Sequence, residues 1–304
     1  MLQQASRRDF LKASVAAACA GAGGKVSLPV PVVSLSPASS PLRIKKGVLV
    51  DMLPPKLSYR ERFAVARDAG FEAIQANTAP GAREAEEIRR AAEDAGIRID
   101  SVMNAGHWDW PLSSPDPAVV EKGLDSMRTS LHNARFWGAR YVLLVPAVVD
   151  AHTSYREAWM RSQAQIRKLL PLCQETKVVI ALEEVWNKFL LSPLEFAAYI
   201  DRFHSPWVKA WFDVGNVVFY GYPQDWIRTL GDRIVELHVK DFKRQGDCYR
   251  WVNLGEGDVD WREIRRALAE IHYSGTATVE LEGGDEAYLG DVSRRFDRLV
   301  LGAA

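Results

Sequence analysis

Four stretches in the second half of the chain decide its fold: VVIALEE at 178–184, KAWFDVGN at 209–216, IVELHVKD at 234–241 and TATVELE at 276–282. Each is a short apolar run that an acid or an imidazole interrupts near its carboxyl end. Short apolar runs of this kind are typical of buried parallel strands. In a parallel α/β barrel the carboxyl ends of the strands meet at one face, and that face holds the active site. The pattern therefore indicates an enzyme.

Strand-like and helix-like segments alternate eight times along the chain. The predicted strands are 47–52, 71–75, 97–103, 140–146, 177–183, 207–213, 233–239 and 276–281. Amphipathic stretches that include 58–69, 83–95, 117–137, 155–175, 193–203 and 261–272 lie between them, and several begin with Ser, Pro or Asp, as helices do.

Glycines mark several of the predicted helix ends. Gly70, Gly96, Gly138 and Gly275 each fall between a helix and the next strand, where a left-handed cap favours glycine. This rhythm predicts an α/β protein with a (β/α)₈ TIM barrel. A doubly wound sheet is the alternative, but no Gly-x-Gly-x-x-Gly follows the first strand, so nucleotide binding is poorly supported.

The first forty residues are predicted to be an export signal and its tether. The segment SRRDFLK at 6–12 has the paired arginines of a twin-arginine signal, and an Ala-rich stretch follows at 13–22. That stretch is too short and too rich in small residues to form a stable transmembrane span. We predict a signal peptide at 1–24, a Pro/Ser-rich linker at 25–44 and one barrel domain at 45–304. The expected location is the periplasm, reached through the twin-arginine machinery, and Cys19 is a candidate lipid anchor.

Charge and cysteine content exclude several classes of protein. The chain balances 39 basic against 39 acidic residues, which leaves no electrostatic footprint for nucleic acid or an anionic membrane. Apart from Cys19, only Cys173 and Cys248 are present, and two cysteines do not make a disulfide framework. Assembly into a homo-oligomer is left open.

The polar residues of the four quoted stretches form a candidate metal site. Three carboxylates and one imidazole, from Glu183, Asp213, His238 and Glu280, suit Mn²⁺, Mg²⁺ or Co²⁺ better than a thiolate zinc site does. Simpler roles remain open for single residues: Asp213 could cap a turn, and His238 could be a buried core histidine. Glu184 is an alternative ligand to Glu183, but only one of the two can point into the barrel; we favour Glu183 and expect Glu184 to be an outward or supporting residue. Glu282, two residues after Glu280 and on the same face, is an alternative to Glu280. Four such residues at the same end of four strands nevertheless favour a metal site.

The same stretches, with NLGEGDVDW at 253–261 and NAGH at 104–107, resemble the sugar phosphate isomerase/epimerase family with its xylose-isomerase-like barrel. The likeness covers about 47–300 and is strongest to L-ribulose- and L-xylulose-5-phosphate 3-epimerases, D-tagatose 3-epimerases and hydroxypyruvate isomerases. It implies one divalent ion, with Mn²⁺ the first choice and Co²⁺, Mg²⁺ and Zn²⁺ as alternatives. The implied ligands are Glu183, Asp213, His238 and Glu280.

The resemblance implies proton transfer beside a carbonyl. A metal can grip the carbonyl and hydroxyl oxygens of a ketose and stabilise an enediolate, while Glu183 and Glu280 remove and return a proton from opposite faces. We therefore expect a metal-dependent isomerase or epimerase of a keto-sugar. Because export separates the protein from most phosphorylated sugars, an unphosphorylated carbohydrate is the expected substrate.

Three other functions were weighed. An exported 3-keto-glycoside lyase would share the proton abstraction and then eliminate a substituent, and a non-catalytic sugar-binding barrel would keep the pocket without turnover. A DNA-repair endonuclease is rejected, because Asn216 stands where a further histidine ligand is expected and the surface is not basic.

Further residues are candidates for substrate contact. They are His107, Trp108, Trp186, Asn216, Lys240 and Glu256. Asp241 is a candidate for orienting a ligand. The D-tagatose epimerase branch has a substrate-binding histidine at the position of Asn216, which counts against a free ketose as the substrate.

Overall fold

Eight parallel strands close into a barrel within residues 43–246 and 248–303, the part of the chain that this computed structural model describes. The strands are β1 Lys45–Leu49, β2 Ala73–Asn77, β3 Arg98–Met103, β4 Tyr141–Leu144, β5 Val179–Glu183, β6 Val208–Asp213, β7 Ile234–Val239 and β10 Thr276–Val279. β7 pairs directly with β10, and β10 pairs with β1 to complete the ring. The predicted barrel is confirmed, with strand ends that differ from the prediction by up to three residues.

Helices follow the barrel strands, and eight α-helices lie within the described residues. They are α1 Tyr59–Asp68, α2 Ala82–Ala95, α3 Pro117–Trp137, α4 Tyr155–Thr176, α5 Pro193–Asp201, α6 Pro223–Leu230, α7 Trp261–Glu270 and α8 Glu286–Phe296. Ser58 and Ser154 each form a capping box with the glutamate three residues later. The helices α6 and α8 had no counterpart among the amphipathic stretches singled out from the sequence.

The predicted glycine caps are present at three of the four positions. Gly70, Gly96 and Gly138 have positive φ angles of 93°, 65° and 74°. The prediction for Gly275 is wrong, because the left-handed residue after α7 is His272, with φ 55°. A Cβ atom on Gly275 would lie 2.4 Å from the Tyr273 hydroxyl and 2.7 Å from the Val235 carbonyl oxygen. This glycine therefore serves close packing rather than a left-handed turn.

The barrel interior combines a small apolar cluster with buried polar side chains. Leu143, Val145, Ala181, Val185 and Trp211 pack together, and Trp211 is fully buried. Because side chains alternate along a strand, Trp211 shares a face with Asp213, and Ala181 shares a face with Glu183. The apolar cluster therefore supports the polar residues that lie one step nearer the carboxyl ends.

Two irregularities in strand pairing adjust which residues point inward. On β3 the register with β2 skips Asp100, so that Gln75 pairs with Ser101. On β7 the register with β6 skips Val235, so that Trp211 pairs with Glu236. An extra residue of this kind bends a strand and redirects the side chains that follow it.

An antiparallel hairpin stands outside the barrel, directly after β7. Its strands are β8 Asp241–Gln245 and β9 Cys248–Val252. Only Lys240 separates β7 from β8. No strand was predicted between β7 and α7, so the hairpin is an addition to the predicted fold.

Asp241 fastens this hairpin to the following loop. Its carboxylate is fully buried and accepts hydrogen bonds from the backbone N–H groups of Phe242, Gly255 and Val259 and from the indole N–H of Trp261, at 2.8 to 3.3 Å. The side chain thus holds the start of β8, the loop at 253–259 and the start of α7 together.

Several predictions fall on residues that lie outside the described ranges. The predicted signal peptide at 1–24, including Cys19, and residues 25–42 of the predicted linker are among them. No helix in the described ranges combines the length and apolar character needed to cross a membrane. Cys173 is buried and Cys248 is exposed, and both are free thiols.

Replacing Asp241 by Asn should destabilise the protein by about 2 to 3 kcal/mol, since an amide N–H₂ would face N–H donors that now have a charged acceptor. The free energy of unfolding should be measured by urea denaturation. Hydrogen exchange should quicken at the backbone amides of Gly255 and Val259.

Glu256→Gln is the matched control in the same loop. Glu256 is exposed and makes a surface ion pair with Arg295 at 3.1 Å, so its loss should cost less than about 1 kcal/mol. Equal effects of the two substitutions would contradict the role assigned to Asp241.

Candidate metal centre

Four side chains converge at the carboxyl ends of the barrel strands. Glu183 ends β5, Asp213 ends β6, His238 lies in β7 and Glu280 follows β10 by one residue. Their ligand atoms all lie within 4.8 Å of one another. Asp213 and His238 are fully buried, whereas the Glu280 side chain is 26% exposed, so the cluster opens towards solvent on the Glu280 side.

His238 is held between the acids and a glutamine. Its Nδ1 atom lies 2.8 Å from Glu183 Oε1 and 3.4 Å from Glu280 Oε2. On the other side of the ring, Nε2 lies 2.8 Å from Gln75 Oε1. Because that oxygen accepts the Nε2–H, the Nδ1 atom is left to face the acids, which is the arrangement of an oriented histidine ligand.

Lys240 supplies a positive charge at the open side of the cluster. Its ammonium group lies 2.7 Å from Asp213 Oδ2 and 2.6 Å from Glu280 Oε2. The two acids raise the pKa of Lys240 above its usual value, although burial opposes that rise. The ammonium therefore stays charged and offsets part of the negative charge of the carboxylates.

Backbone groups fix the orientation of Asp213. Its Oδ1 atom accepts hydrogen bonds from the N–H groups of Gly215 at 2.7 Å and Asn216 at 3.0 Å. The Asp213 N–H donates to Glu184 Oε1 at 3.0 Å. With Oδ1 occupied in this way, Oδ2 points towards Lys240 and His238.

Burial and neighbouring charges separate the proton affinities of the cluster. Burial raises the pKa of Glu183 to about 7, although His238 opposes the rise. For Glu280, burial alone would raise the pKa, but His238 and Lys240 lower it to about 2. Burial likewise opposes protonation of His238, yet Glu280 and Glu183 raise its pKa. Near neutral pH the Glu183–His238 pair therefore shares a proton while Glu280 is ionised.

The cluster fits a divalent ion in both size and chemistry. Ligands on opposite sides of one ion lie about 4 to 5 Å apart when each bond is about 2.0 to 2.6 Å long. The 4.8 Å spread of the four ligand atoms is within that range. Three carboxylates and one imidazole form an oxygen-rich donor set, which hard divalent cations prefer. The four residues could therefore hold one divalent metal ion.

Three of the candidate substrate residues adjoin the cluster. Lys240 bridges two of its acids, as described above. Asn216 is buried, and its side-chain N–H₂ donates to the Glu184 carbonyl oxygen at 2.8 Å. The indole N–H of Trp186 donates to the Asn216 carbonyl oxygen at 2.8 Å, which leaves the Trp186 ring 42% exposed beside Asn216.

The remaining candidates have different surroundings. His107 is buried, its Nδ1 accepts the Val145 N–H at 3.4 Å, and burial lowers its pKa to about 3. It is therefore a neutral imidazole. Trp108 packs edge-on against it with its own side chain mostly exposed. Glu256 forms an exposed ion pair with Arg295.

Two further residues support the cluster, and of these only Gln75 was not singled out from the sequence. Gln75 contacts His238, and its signal was a polar residue inside the apolar strand β2. Glu184, expected to lie outside the ligand set as an outward or supporting residue, is fully buried behind the cluster and accepts the Asp213 N–H. Burial, together with the charges of Asp213 and Glu183, raises the pKa of Glu184 well above its usual value.

A closed barrel with an oxygen-rich candidate metal centre at the carboxyl ends of its strands places the protein among the TIM barrels that carry such a site at the barrel mouth. The chain belongs to the xylose isomerase-like TIM barrel family, whose family model matches residues 63–298. This membership agrees with the resemblance that the sequence motifs indicated.

Individual relatives are carbohydrate epimerases. The chain is 25% identical over 250 residues to L-ribulose-5-phosphate 3-epimerase UlaE of Escherichia coli O1:K1, covering 79% of this chain and 87% of that protein. A D-allulose 3-epimerase from Methylomonas sp. in complex with D-allulose superposes with a TM-score of 0.70 at 20% identity, over 85% of this chain and 97% of that one. The 3-keto-D-glucoside 4-epimerase YcjR of E. coli superposes with a TM-score of 0.72 at 15% identity, over 84% and 98%.

Metal affinity should rise with pH. Because burial raises the folded-state pKa of Glu183 to about 7, its carboxyl is largely protonated below that pH and must lose the proton to bind an ion. Because the pKa of His238 is raised as well, the affinity for Mn²⁺ should increase by at least about tenfold per pH unit up to about pH 7 and continue to rise until His238 has also lost its proton. Isothermal titration calorimetry in buffers of different ionisation enthalpy would measure both affinity and proton release.

Two glutamate variants test this assignment. Glu183→Gln should weaken Mn²⁺ binding and flatten its pH dependence. Glu184→Gln should keep the slope, because Glu184 lies outside the ligand set and glutamine retains an oxygen for the Asp213 N–H. A wild-type affinity that does not change with pH would refute the prediction.

Proposed function

We propose that this protein is a divalent-metal-dependent isomerase or epimerase that acts on a keto-sugar through an enediolate, with Glu183 and Glu280 as its acid–base pair. The observation that carries the proposal is the convergence of these two glutamates with Asp213 and His238 within 4.8 Å at the barrel mouth. Binding of a sugar alone would not require two glutamates in one metal cluster.

The two glutamates have suitable surroundings for proton transfer. Glu183 contacts His238, with which it shares a proton, and Glu280 is ionised and contacts Lys240. An ionised carboxylate can remove a proton from the carbon beside a carbonyl, and the glutamate on the opposite face can return one after it has taken up a proton on the oxygen that the metal leaves free. A divalent ion, when bound, would stabilise the negative charge that develops on the substrate oxygens.

Relatives support this chemistry. The curated relative is named a 3-epimerase of L-ribulose 5-phosphate, and the two solved structures are a D-allulose 3-epimerase and a 3-keto-D-glucoside 4-epimerase. All three proteins are named as epimerases, and each name gives a carbohydrate as the substrate. Mn²⁺ is the ion we propose first, with Co²⁺, Mg²⁺ and Zn²⁺ as alternatives, and the proposed substrate is unphosphorylated.

An exported 3-keto-glycoside lyase is the second candidate. The structural likeness to a 3-keto-D-glucoside 4-epimerase favours a keto-glycoside as substrate. Abstraction of the same proton, followed by loss of the glycosidic substituent, would give elimination instead of epimerisation. The two functions differ only in their products.

Glu183→Gln and Glu280→Gln should each reduce proton exchange by at least about a hundredfold, because each removes one member of the acid–base pair. The measurement is proton NMR in D₂O with Mn²⁺-loaded protein, using D-allulose, D-fructose and a 3-keto-glucoside as substrates. Deuterium should appear at the carbon beside the carbonyl with the wild type, and the product should distinguish epimer from eliminated sugar.

Glu282→Gln is the matched control. It lies two residues from Glu280 but is exposed and outside the cluster, so exchange should be retained. If the wild type binds the metal and the sugars but incorporates no deuterium, the proposed catalytic function is refuted. A non-catalytic sugar-binding barrel would then be the better interpretation.

We also propose that the protein is exported through the twin-arginine pathway, on the motif that contains Arg7 and Arg8. Replacing both arginines by lysine should leave the protein in the cytoplasm, because the pathway reads the arginine pair. Cell fractionation with an epitope tag at the carboxyl terminus measures the distribution. Replacing Arg43 by lysine, beyond the motif, is the control and should not change export; equal export of all variants would exclude this route.

A further inference from the structure

Four exposed aromatic side chains lie together beside the candidate metal centre. We call Trp186, Phe219, Tyr249 and Trp251 the aromatic patch; each side chain is between 41% and 54% exposed. Trp186 is the hub, with its ring centroid 5.2 Å from that of Trp251, 5.5 Å from that of Phe219 and 5.6 Å from that of Tyr249. Single exposed apolar residues are normal on proteins, but a contiguous group marks a binding surface.

The patch has a rigid base. Phe242 is fully buried, with its ring 5.2 Å from Trp251 and 5.4 Å from Trp186. The Trp186 indole N–H is anchored on the Asn216 carbonyl oxygen. Tyr249 and Trp251 stand on β9, whose hairpin is fastened by Asp241. The exposed rings are therefore pre-ordered, which reduces the entropy lost when a ligand stacks on them.

The patch is continuous with the candidate catalytic residues. The Lys240 ammonium group lies 4.7 Å from the centre of the Trp251 ring and 2.6 Å from Glu280 Oε2. Gly215 allows this close approach, because a Cβ atom there would lie 2.6 Å from the Lys240 side chain and 3.1 Å from the Trp251 ring. A substrate that reacts at Glu280 and extends past Lys240 would reach the aromatic patch.

We propose that the aromatic patch is a subsite for a ring that the reacting keto-sugar carries on a glycosidic oxygen. The substrate would then be a keto-glycoside rather than a free ketose. Flat aromatic faces suit the apolar C–H face of a pyranose or the face of an aryl ring, and both occupants offer the same stacking chemistry. This inference rests on the proposed keto-sugar chemistry and adds the class of substrate.

Selectivity among three 3-keto-β-D-glucosides tests the subsite. The methyl glucoside, the phenyl glucoside and 3-keto-cellobiose share the reacting ring and differ in the attached group. Wild-type kcat/KM for deuterium incorporation should favour at least one ring-bearing compound over the methyl compound by about tenfold, since a stacked ring contributes an energy of this order. Preference for the phenyl compound would identify an aryl occupant, and preference for 3-keto-cellobiose a sugar.

Trp251→Ala and Tyr249→Ala should bring that ratio close to one. Phe136→Ala is the matched control: Phe136 is 49% exposed on α3, outside the patch, and its loss should leave the ratio unchanged. Circular dichroism and thermal unfolding would verify that each variant is folded. A wild type that treats all three compounds alike, or a Trp251→Ala variant that slows all three equally, overturns the subsite.

A binding measurement keeps this inference separate from the proposed reaction. Phenyl β-D-glucoside and cellobiose lack the keto group, and saturation-transfer NMR shows which of their protons touch the protein. Signals from the phenyl or the second glucose ring, lost in Trp251→Ala, would support the subsite even if no keto-sugar exchanges deuterium. Absence of such signals from both rings with the wild type would refute the subsite even if the keto-sugar reaction is found.

Discussion

The concentration of three carboxylates in one buried space is the constraint on which the rest of the site depends. Glu183, Asp213 and Glu280 would repel one another and lose hydration if they stood alone. Here His238 shares a proton with Glu183, and Lys240 faces the other two acids. The arrangement is tolerated because every acid has a partner that offsets its charge: His238 for Glu183, and Lys240 for both Asp213 and Glu280. Burial and those partners together shift the pKa values of the two glutamates in opposite directions, with that of Glu183 raised and that of Glu280 lowered.

The barrel strands, rather than the loops, position the charged side chains of the cluster. Every member of the cluster lies at, or one residue beyond, a strand position, so its direction is set by the backbone hydrogen bonds of the sheet. The bulge at Asp100 shifts the register beside Gln75, and Gln75 in turn orients the ring of His238. Rigid strands therefore position the polar atoms, whereas the nearby hairpin provides apolar surface.

Much of this architecture could be predicted, because it follows from local patterns of apolar and polar residues in the sequence. The alternation of strand-like and helix-like segments predicted all eight barrel strands, and four apolar runs ending in a polar residue identified Glu183, Asp213, His238 and Glu280 as one group. Gln75 has the same signature but stands alone in a short run, so its contact with a strand 163 residues away was invisible. The hairpin was not predicted, because β8 and β9 are mostly exposed and lack the alternation of apolar and polar residues that marks a half-buried strand. The anchoring role of Asp241 could not be predicted. The N–H groups that donate hydrogen bonds to its carboxylate come from a loop and a helix up to 20 residues later in the chain.

The hairpin of β8 and β9 has a consequence for how such a protein can change over evolutionary time. Within the described part of the chain, its two strands pair only with each other, outside the closed ring of the barrel. Side chains on β9 can therefore be exchanged without altering a barrel hydrogen bond or a metal ligand, while the buried anchor at Asp241 keeps the ribbon in place. Under the proposed subsite and reaction, substrate range and chemistry belong to separate parts of one chain, so that the first can diverge while the second is retained.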